Sequence, residues 1–283
     1  MTASPDPALE VARTLLFVPG TRPDRFAKAA TSGADLVVVD LEDAVAQADK
    51  ETARQAVADW LGADGNGAGA PGRAAVRLNA IGTDQHDADV AALAVLPGLR
   101  AVVVPMAEDP AGLVALGQRL GQGVPVVALV ETALGVHRVH DLAAVPGVRR
   151  LAFGHLDLAA DLGSDTADTT MLMARSTLVL ASRVAGLPGP VDGTTTALDD
   201  PGAAAGDARR ARALGFTGKL CIHPSQVGPV NAAFRPSEEE LAWAHRVLEA
   251  VQTGGVARVD GQMVDAPVIA RARSLVALEG VST

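Results

Sequence analysis

The chain has 283 residues, 48% of them hydrophobic, enough for one large α/β domain or two ordinary ones. Its formal charge of −9 argues against a nucleic-acid or anionic-membrane surface, so an anionic ligand would need a local cationic pocket or a metal. The single Cys221 excludes an internal disulfide, and neither a signal-peptide pattern nor a membrane-length apolar run is present, so a soluble cytoplasmic protein is expected.

Aromatic residues make up 2% of the chain, with no tyrosine, so the core must be built from Ala, Val and Leu. In chain order, β-branched runs predict strands at Thr14–Val18, Leu36–Asp40, Ala74–Leu78, Ala101–Pro105 and Val124–Val130. Weaker strands follow at Arg150–Phe153, Pro190–Asp192 and Leu220–His223. Helical stretches fill most gaps, among them Pro23–Ser32, Lys50–Leu61, Pro110–Leu120, Thr170–Ala185 and Ala203–Leu214. Eight strand-then-helix repeats predict an α/β fold, a TIM (β/α)8 barrel over residues 1–233. An open doubly wound sheet is the alternative, because strands six and seven are poor. Residues 234–283 read as a C-terminal extension, with helices at Ser237–Val251 and near Pro267–Leu278 around a Gly-rich turn. The Gly-rich stretch 62–72 follows a helix and precedes a strand, the reverse of a phosphate loop, and reads as a surface loop.

In such a barrel the site lies at the carboxyl ends of the strands. There the sequence places Asp40, Glu42 and Asp43 after strand two, Arg77 and Asn79 after strand three, and Glu131 after strand five. His155, Asp157 and Asp161 follow strand six, Asp192 ends strand seven and His223 ends strand eight. The opposite rim is mostly Gly, Pro and Ala. Carboxylates with few lysines suggest a hard divalent cation, and Mg²⁺ commonly takes one or two carboxylates plus waters and substrate oxygens. Glu131 and Asp157, on adjacent strands, fit that pattern, although Asp157 could instead cap the following helix. Arg77 offers a two-pronged donor for a substrate carboxylate, or a salt bridge to the Asp40–Asp43 cluster. His137 with His140, three apart on a predicted helix but without an HExxH pattern, and Cys221 with His223, where a core cysteine is commoner than a nucleophile, are weaker pairings. Lys219 opens strand eight, at the wrong end for Schiff-base chemistry in this site.

The stretches "RTLLFVPGTRPDRFAKAATSGADLVVVDLEDAV", "VRLNAIGTD", "VVALVETALGV", "FGHLDLAADLG" and "GKLCIHPSQV" resemble the citrate lyase β-subunit-like family of the HpcH/HpaI aldolase superfamily, over nearly the whole chain and in order. The resemblance implies a Mg²⁺-dependent barrel, with Mn²⁺ as a substitute, that breaks or makes the carbon–carbon bond of a β-hydroxyacyl-CoA thioester. It implies Glu131 and Asp157 as metal ligands, with Arg77 holding the oxo-acid carboxylate. Asp40 and Glu42 join Arg77 among the candidate catalytic groups. Phe17, Pro19, Arg22 and Lys28 fall in the coenzyme A segment. Asp265, in "GQMVDAP", would act as acid/base from a lid that closes over a neighbouring subunit, so the partners are acyl-CoA, a 2-oxo acid and other copies of the chain in a homotrimer or hexamer. His155 departs from the motif at a variable position.

The expected reaction is cleavage of citramalyl-, malyl- or citryl-CoA, or a close relative, to acetyl-CoA and a 2-oxo acid. Two rivals are a metal-dependent aldolase acting on free pyruvate and an aldehyde, and a non-catalytic acyl-thioester-binding β-subunit of a larger lyase.

Overall fold

The structure, a computed structural model, describes residues 7–62, 74–94, 96–121, 123–252 and 258–279. The chain divides into two compact units, Met1–Asn231 and Ala232–Thr283.

The first unit is a closed barrel of eight parallel strands in sequential order. They are β1 (Thr14–Pro19), β2 (Leu36–Asp40), β3 (Ala74–Arg77), β4 (Leu99–Val104), β5 (Val126–Val130), β6 (Val148–Phe153), β7 (Val191–Asp192) and β8 (Gly218–Cys221). β8 closes the ring by pairing with β1, Thr14 against Lys219. Every residue of β2 and β5 is buried, which is why these strands read as unbroken apolar runs. Alternate positions point inward, and Leu15, Val38, Ala75, Val103, Leu129, Ala152, Val191 and Leu220 pack into one cluster drawn from all eight strands. The predicted barrel is therefore the observed fold, and the doubly wound alternative is excluded by closure.

Leu9 and Ala12 join the same cluster from the amino-terminal side. Their carbonyls accept from Arg150 Nη1 at 2.8 and 2.6 Å, while Asp35 Oδ2 accepts from the backbone amides of Arg13 and Thr14. This rim, expected to be mostly Gly, Pro and Ala, also holds charged groups. It carries a fully buried arginine, which burial pushes down to about 10 without discharging it at neutral pH.

Two strand ends differ from expectation. β7 has only two residues, and β8 begins and ends two residues early, so His223 lies beyond it. The stretch 63–73, most of the expected surface loop, lies outside the described residues. Among the described residues no helix is long and apolar enough to cross a membrane.

The second unit holds helices Glu238–Gln252 and Ala266–Glu279. Between them is a hairpin of β9 (Arg258–Val259) and β10 (Gln262–Met263). Ala244, Val247, Val259, Ala272 and Leu275 form its core. The hairpin turn is Asp260–Gly261, both at positive φ, as a type I′ connection requires.

Candidate active site

At the carboxyl ends of the strands opens a cavity of about 370 Å³, lined by side chains from β1, β2, β3, β5, β6 and β8 and from segments after β2, β5, β6, β7 and β8. Arg77 and Asp40 are register partners at the ends of β3 and β2. Arg77 Nε and Nη2 donate to the two Asp40 oxygens at 2.7 and 2.6 Å, a bidentate pair. Asp40 also accepts from the amides of Glu42 and Ala44, so this buried carboxylate is saturated. It holds Arg77 and has little capacity left for substrate. Arg77 Nη1 donates to Asp43 at 3.2 Å and lies 2.8 Å from Glu42 Oε2 in an ion pair without hydrogen-bond geometry. The guanidinium stacks over Phe17 with its centre 5.0 Å from the ring, and the neighbouring carboxylates raise its pKa despite burial.

Glu42 itself does not line this cavity. It faces an adjacent depression with Lys50 and Asn79, and reaches the site only through Arg77. Burial, with Asp43 and Asp40 close by, pushes its carboxyl up to about 7 against the opposing pull of Arg77. Beneath it Lys50 Nζ donates to the carbonyls of Leu41 and Glu42 and to Asn79 Oδ1 at 2.7–2.8 Å. Asn79 in turn donates to buried Asp89. This network fixes the loop after β2.

Glu131 follows β5 and is 4% exposed. Its Oε1 accepts from the Met106 amide at 2.8 Å, and Met106 takes φ 45° to present it. A non-glycine residue there is strained by about 1 kcal/mol, so the turn after β4 is bent toward the carboxylate. Oε2 has no hydrogen bond among the described residues. Burial pushes the carboxyl up to about 8, Asp157 and Glu42 adding to the effect while Met106 and Arg77 oppose it. Gly154 after β6 leaves room for it.

Asp157 is the third residue of helix His155–Leu162, whose N-cap is Gly154. The capping alternative is thus not what the fold uses. Its exposed carboxylate lines the cavity and has neither hydrogen bond nor ion pair among the described residues. Asp161 instead accepts from the Ala133 amide after β5.

Phe17 and Pro19 line the cavity, whereas Arg22 and Lys28 do not. Arg22 is engaged by Asp24 through Nε and Nη2 at 2.8 and 2.7 Å, and Lys28 is exposed on helix Phe26–Ala30. Asp265, in the second unit, accepts from the Val268 amide at 3.1 Å and so caps the helix that follows it. His137 and His140 are exposed on separate short helices, Cys221 is buried, and His223 accepts from the Ser225 amide. Lys219 is buried outside this cavity, near Asp192. Met106, Gly154, Lys50 and Thr194 escaped the sequence reading. Their roles depend on close approaches between strand ends, for which glycine at the end of β6 was the only local sign.

Among the described residues no three His, Cys, Asp or Glu side chains gather as a metal cage. Two carboxylates with free oxygens facing one cavity still suit a hard cation that completes its shell with water and substrate. A (β/α)8 barrel with a guanidinium and two available carboxylates at its strand ends defines the class. The chain belongs to the HpcH/HpaI aldolase/citrate lyase family, whose model matches residues 13–224. Residues 205–277 also match the C-C_Bond_Lyase family of the TIM-barrel fold. The chain is 38% identical over 278 residues to a citrate lyase subunit beta-like protein of Deinococcus radiodurans, covering 94% of this chain and 97% of that one. It is 33% identical to a (3S)-malyl-CoA thioesterase of Cereibacter sphaeroides, covering 94% and 93%. The crystal structure of CitE from Mycobacterium tuberculosis, in complex with magnesium, acetoacetate and coenzyme A, superposes with a TM-score of 0.83 at 38% identity, covering 95% and 98%.

Proposed function

We propose that the chain is a Mg²⁺-dependent lyase that cleaves, or in reverse forms, a β-hydroxyacyl-CoA thioester such as citramalyl-, malyl- or citryl-CoA, giving acetyl-CoA and a 2-oxo acid. The observation that carries this is the buried Glu131 carboxylate, one oxygen free, facing the same cavity as Asp157 and Arg77. Glu131 and Asp157 would hold the cation, and magnesium is bound by the M. tuberculosis relative. When bound, the cation supplies Lewis-acid polarisation of the substrate's hydroxyl and carboxylate oxygens.

Arg77 orients that carboxylate, and Asp40 keeps the guanidinium in place through its bidentate pair. As the hydroxyl loses its proton and becomes the carbonyl of the oxo acid, the carbon–carbon bonding pair passes to the thioester's α-carbon. That carbon takes up a proton to give acetyl-CoA. Leu129, Phe153 and Leu220 form an apolar wall that limits water beside the developing charge. Phe17 and Pro19, which line the cavity, would meet the coenzyme A moiety near the thioester, and Arg22 and Lys28, outside it, would serve its more distant phosphates. The exposed apolar side chains Met173, Leu180 and Val184 on helix Asp168–Val184 support a homo-oligomer.

The test is acetyl-CoA release by the purified chain with Mg²⁺ and each of the three thioesters, reversed by EDTA. The thioesterase relative supports a second activity, hydrolysis of the acyl-CoA, which free CoA without acetyl-CoA would reveal. Turnover only with free pyruvate and an aldehyde would favour the aldolase rival. No turnover until a partner chain is added would favour the β-subunit.

A further inference from the structure

A second cavity, of about 490 Å³, lies beside the first, between β7, β8 and helices Asp168–Val184 and Pro201–Leu214. The two linings share only His155 and Thr194. The second chamber has a mixed lining: Leu172, Ala197, Ala211, Ala213 and Leu214 give it apolar wall, and its charges are paired. Arg175 donates to Asp192 at 3.0 Å, Lys219 lies 3.7 Å from Asp192, and Arg210 lies 2.7 Å from Asp168. With each cation engaged, it is not a ready-made anion site. It is roomy space next to the barrel mouth, with one imidazole and one threonine common to both linings.

His155 is held there by shape. A methyl group built on Gly193 would lie 2.2 Å from His155 Nδ1, so glycine after β7 is what lets the ring in. Nδ1 is buried without a hydrogen bond among the described residues, an arrangement that costs stability and asks for a reason. The ring's position supplies one. β3 and β7 stand four strands apart in a ring of eight and therefore face each other across the barrel. Arg77 ends β3, and Thr194 follows β7. A 2-oxo acid anchored by its carboxylate on Arg77, with its oxo group toward Glu131 on β5, directs its remaining chain at His155 and Thr194.

We propose that His155, with Thr194, is the partition that sets the chain length of the 2-oxo acid: with the imidazole in place the substituent ends at the ring, and without it the substituent enters the second chamber. This rests on the lyase reading above. It makes His155 a specificity-determining residue, with no part in bond cleavage.

The experiment is calorimetric titration of the Mg²⁺-loaded chain with glyoxylate, pyruvate, 2-oxopentanoate and 2-oxohexanoate, alongside condensation of each with acetyl-CoA. Wild type should favour the two short acids. His155→Ala should shift the pyruvate-to-2-oxohexanoate affinity ratio at least tenfold toward the long acid. His155→Gln, similar in volume and polarity, should restore the wild-type ratio, and Thr194→Ala should shift it in the same direction by less. An unchanged ratio in folded His155→Ala overturns the partition, as does wild type that prefers 2-oxohexanoate, or equal loss of all four acids in the variant. Should His155→Ala fail to fold, an unchanged ratio in Thr194→Ala overturns it. Wild type that binds none of the four acids overturns the lyase reading as well, whereas wild type that turns over pyruvate with ratios unmoved by the variants overturns the partition alone.

Discussion

Gly154 and Glu131 occupy each other's space: a methyl group on Gly154 would lie 2.3 Å from Glu131 Oε2 and 2.5 Å from its Cβ. The end of β6 must therefore be glycine for the carboxylate after β5 to stand upright between the strands. Gly154→Ala should displace Glu131, with a stability loss of about 1–3 kcal/mol from overpacking and at least a hundredfold loss of Mg²⁺-dependent turnover. Thermal unfolding and turnover measured on the same preparation check this. A stable, fully active variant would show that Glu131 can do without its present position.

Arg77→Lys should be severely impaired. An ammonium cannot make the two parallel bonds that Asp40 now accepts, nor stack on Phe17 as a planar guanidinium does. The expected result is a large rise in KM for the oxo acid in the condensation direction, with CoA binding retained. A Lys variant matching wild type with every oxo acid would leave Arg77 a purely structural ion pair.

Glu131 ties stability to pH. Its carboxyl is pushed up to about 8 in the folded state from an ordinary value of 4.5, so the folded chain binds more protons than the unfolded chain between those limits. Stability from this group is complete below pH 4.5 and is lost as pH rises toward 8. Metal-free protein should melt progressively lower across that window. Glu131→Gln should flatten the slope and, at pH 8 in EDTA, melt higher than wild type by several degrees, since ~1 kcal/mol moves a midpoint by roughly 2–4 °C in large domains. Excess Mg²⁺ should raise the wild-type midpoint and leave the Gln variant's nearly unmoved. Calorimetric scans with and without metal decide it.

Glu42 competes for Arg77. An incoming carboxylate must share Nη1 with it, and with a carboxyl already raised to about 7 Glu42 yields by taking up a proton. Oxo-acid affinity should therefore fall above pH 7, by up to about tenfold per pH unit for a one-proton linkage. Glu42→Gln should abolish that slope. Titrations in buffers of different ionisation enthalpy would register the proton uptake directly.

The barrel was legible because parallel strands buried on both faces leave unbroken β-branched runs, as in "LVVVD" and "VVALV". Glu131 and Arg77 were legible as charges stranded at the ends of strands, and Asp157 as an acid just beyond one. What was not legible depends on partners far away in the chain. Lys219 sits inside β8 because Asp192 and the Gly193 carbonyl receive its ammonium, and Lys50 lies under the site because Asn79 and two carbonyls do. A strand predicted from apolar runs skips such a lysine, which is why β8 was placed two residues late. The Asp260–Gly261 hairpin had its signal in the sequence, but two-residue strands are too short for alternation to register.

Asp265 offers the sharpest division between a local and a shared role. Its Oδ1 caps helix Ala266–Glu279 through the Val268 amide, and as a cap alone its loss costs about 1 kcal/mol and leaves turnover intact. The family resemblance implies a second task that remains to be tested: Asp265 would protonate the acetyl-CoA enolate in a neighbouring subunit's barrel, which would make oligomerisation a condition of activity. A capping carboxylate keeps one oxygen free, so the two tasks are compatible. Asp265→Ala should then lose most of its turnover while melting only slightly below wild type. Mixing it with inactive Glu131→Ala under conditions of subunit exchange should restore part of the activity, because some mixed oligomers hold one intact site. Exchange confirmed by mass, without any recovery, would count against a site shared between subunits. A fully active Asp265→Ala would leave the residue a helix cap and nothing more.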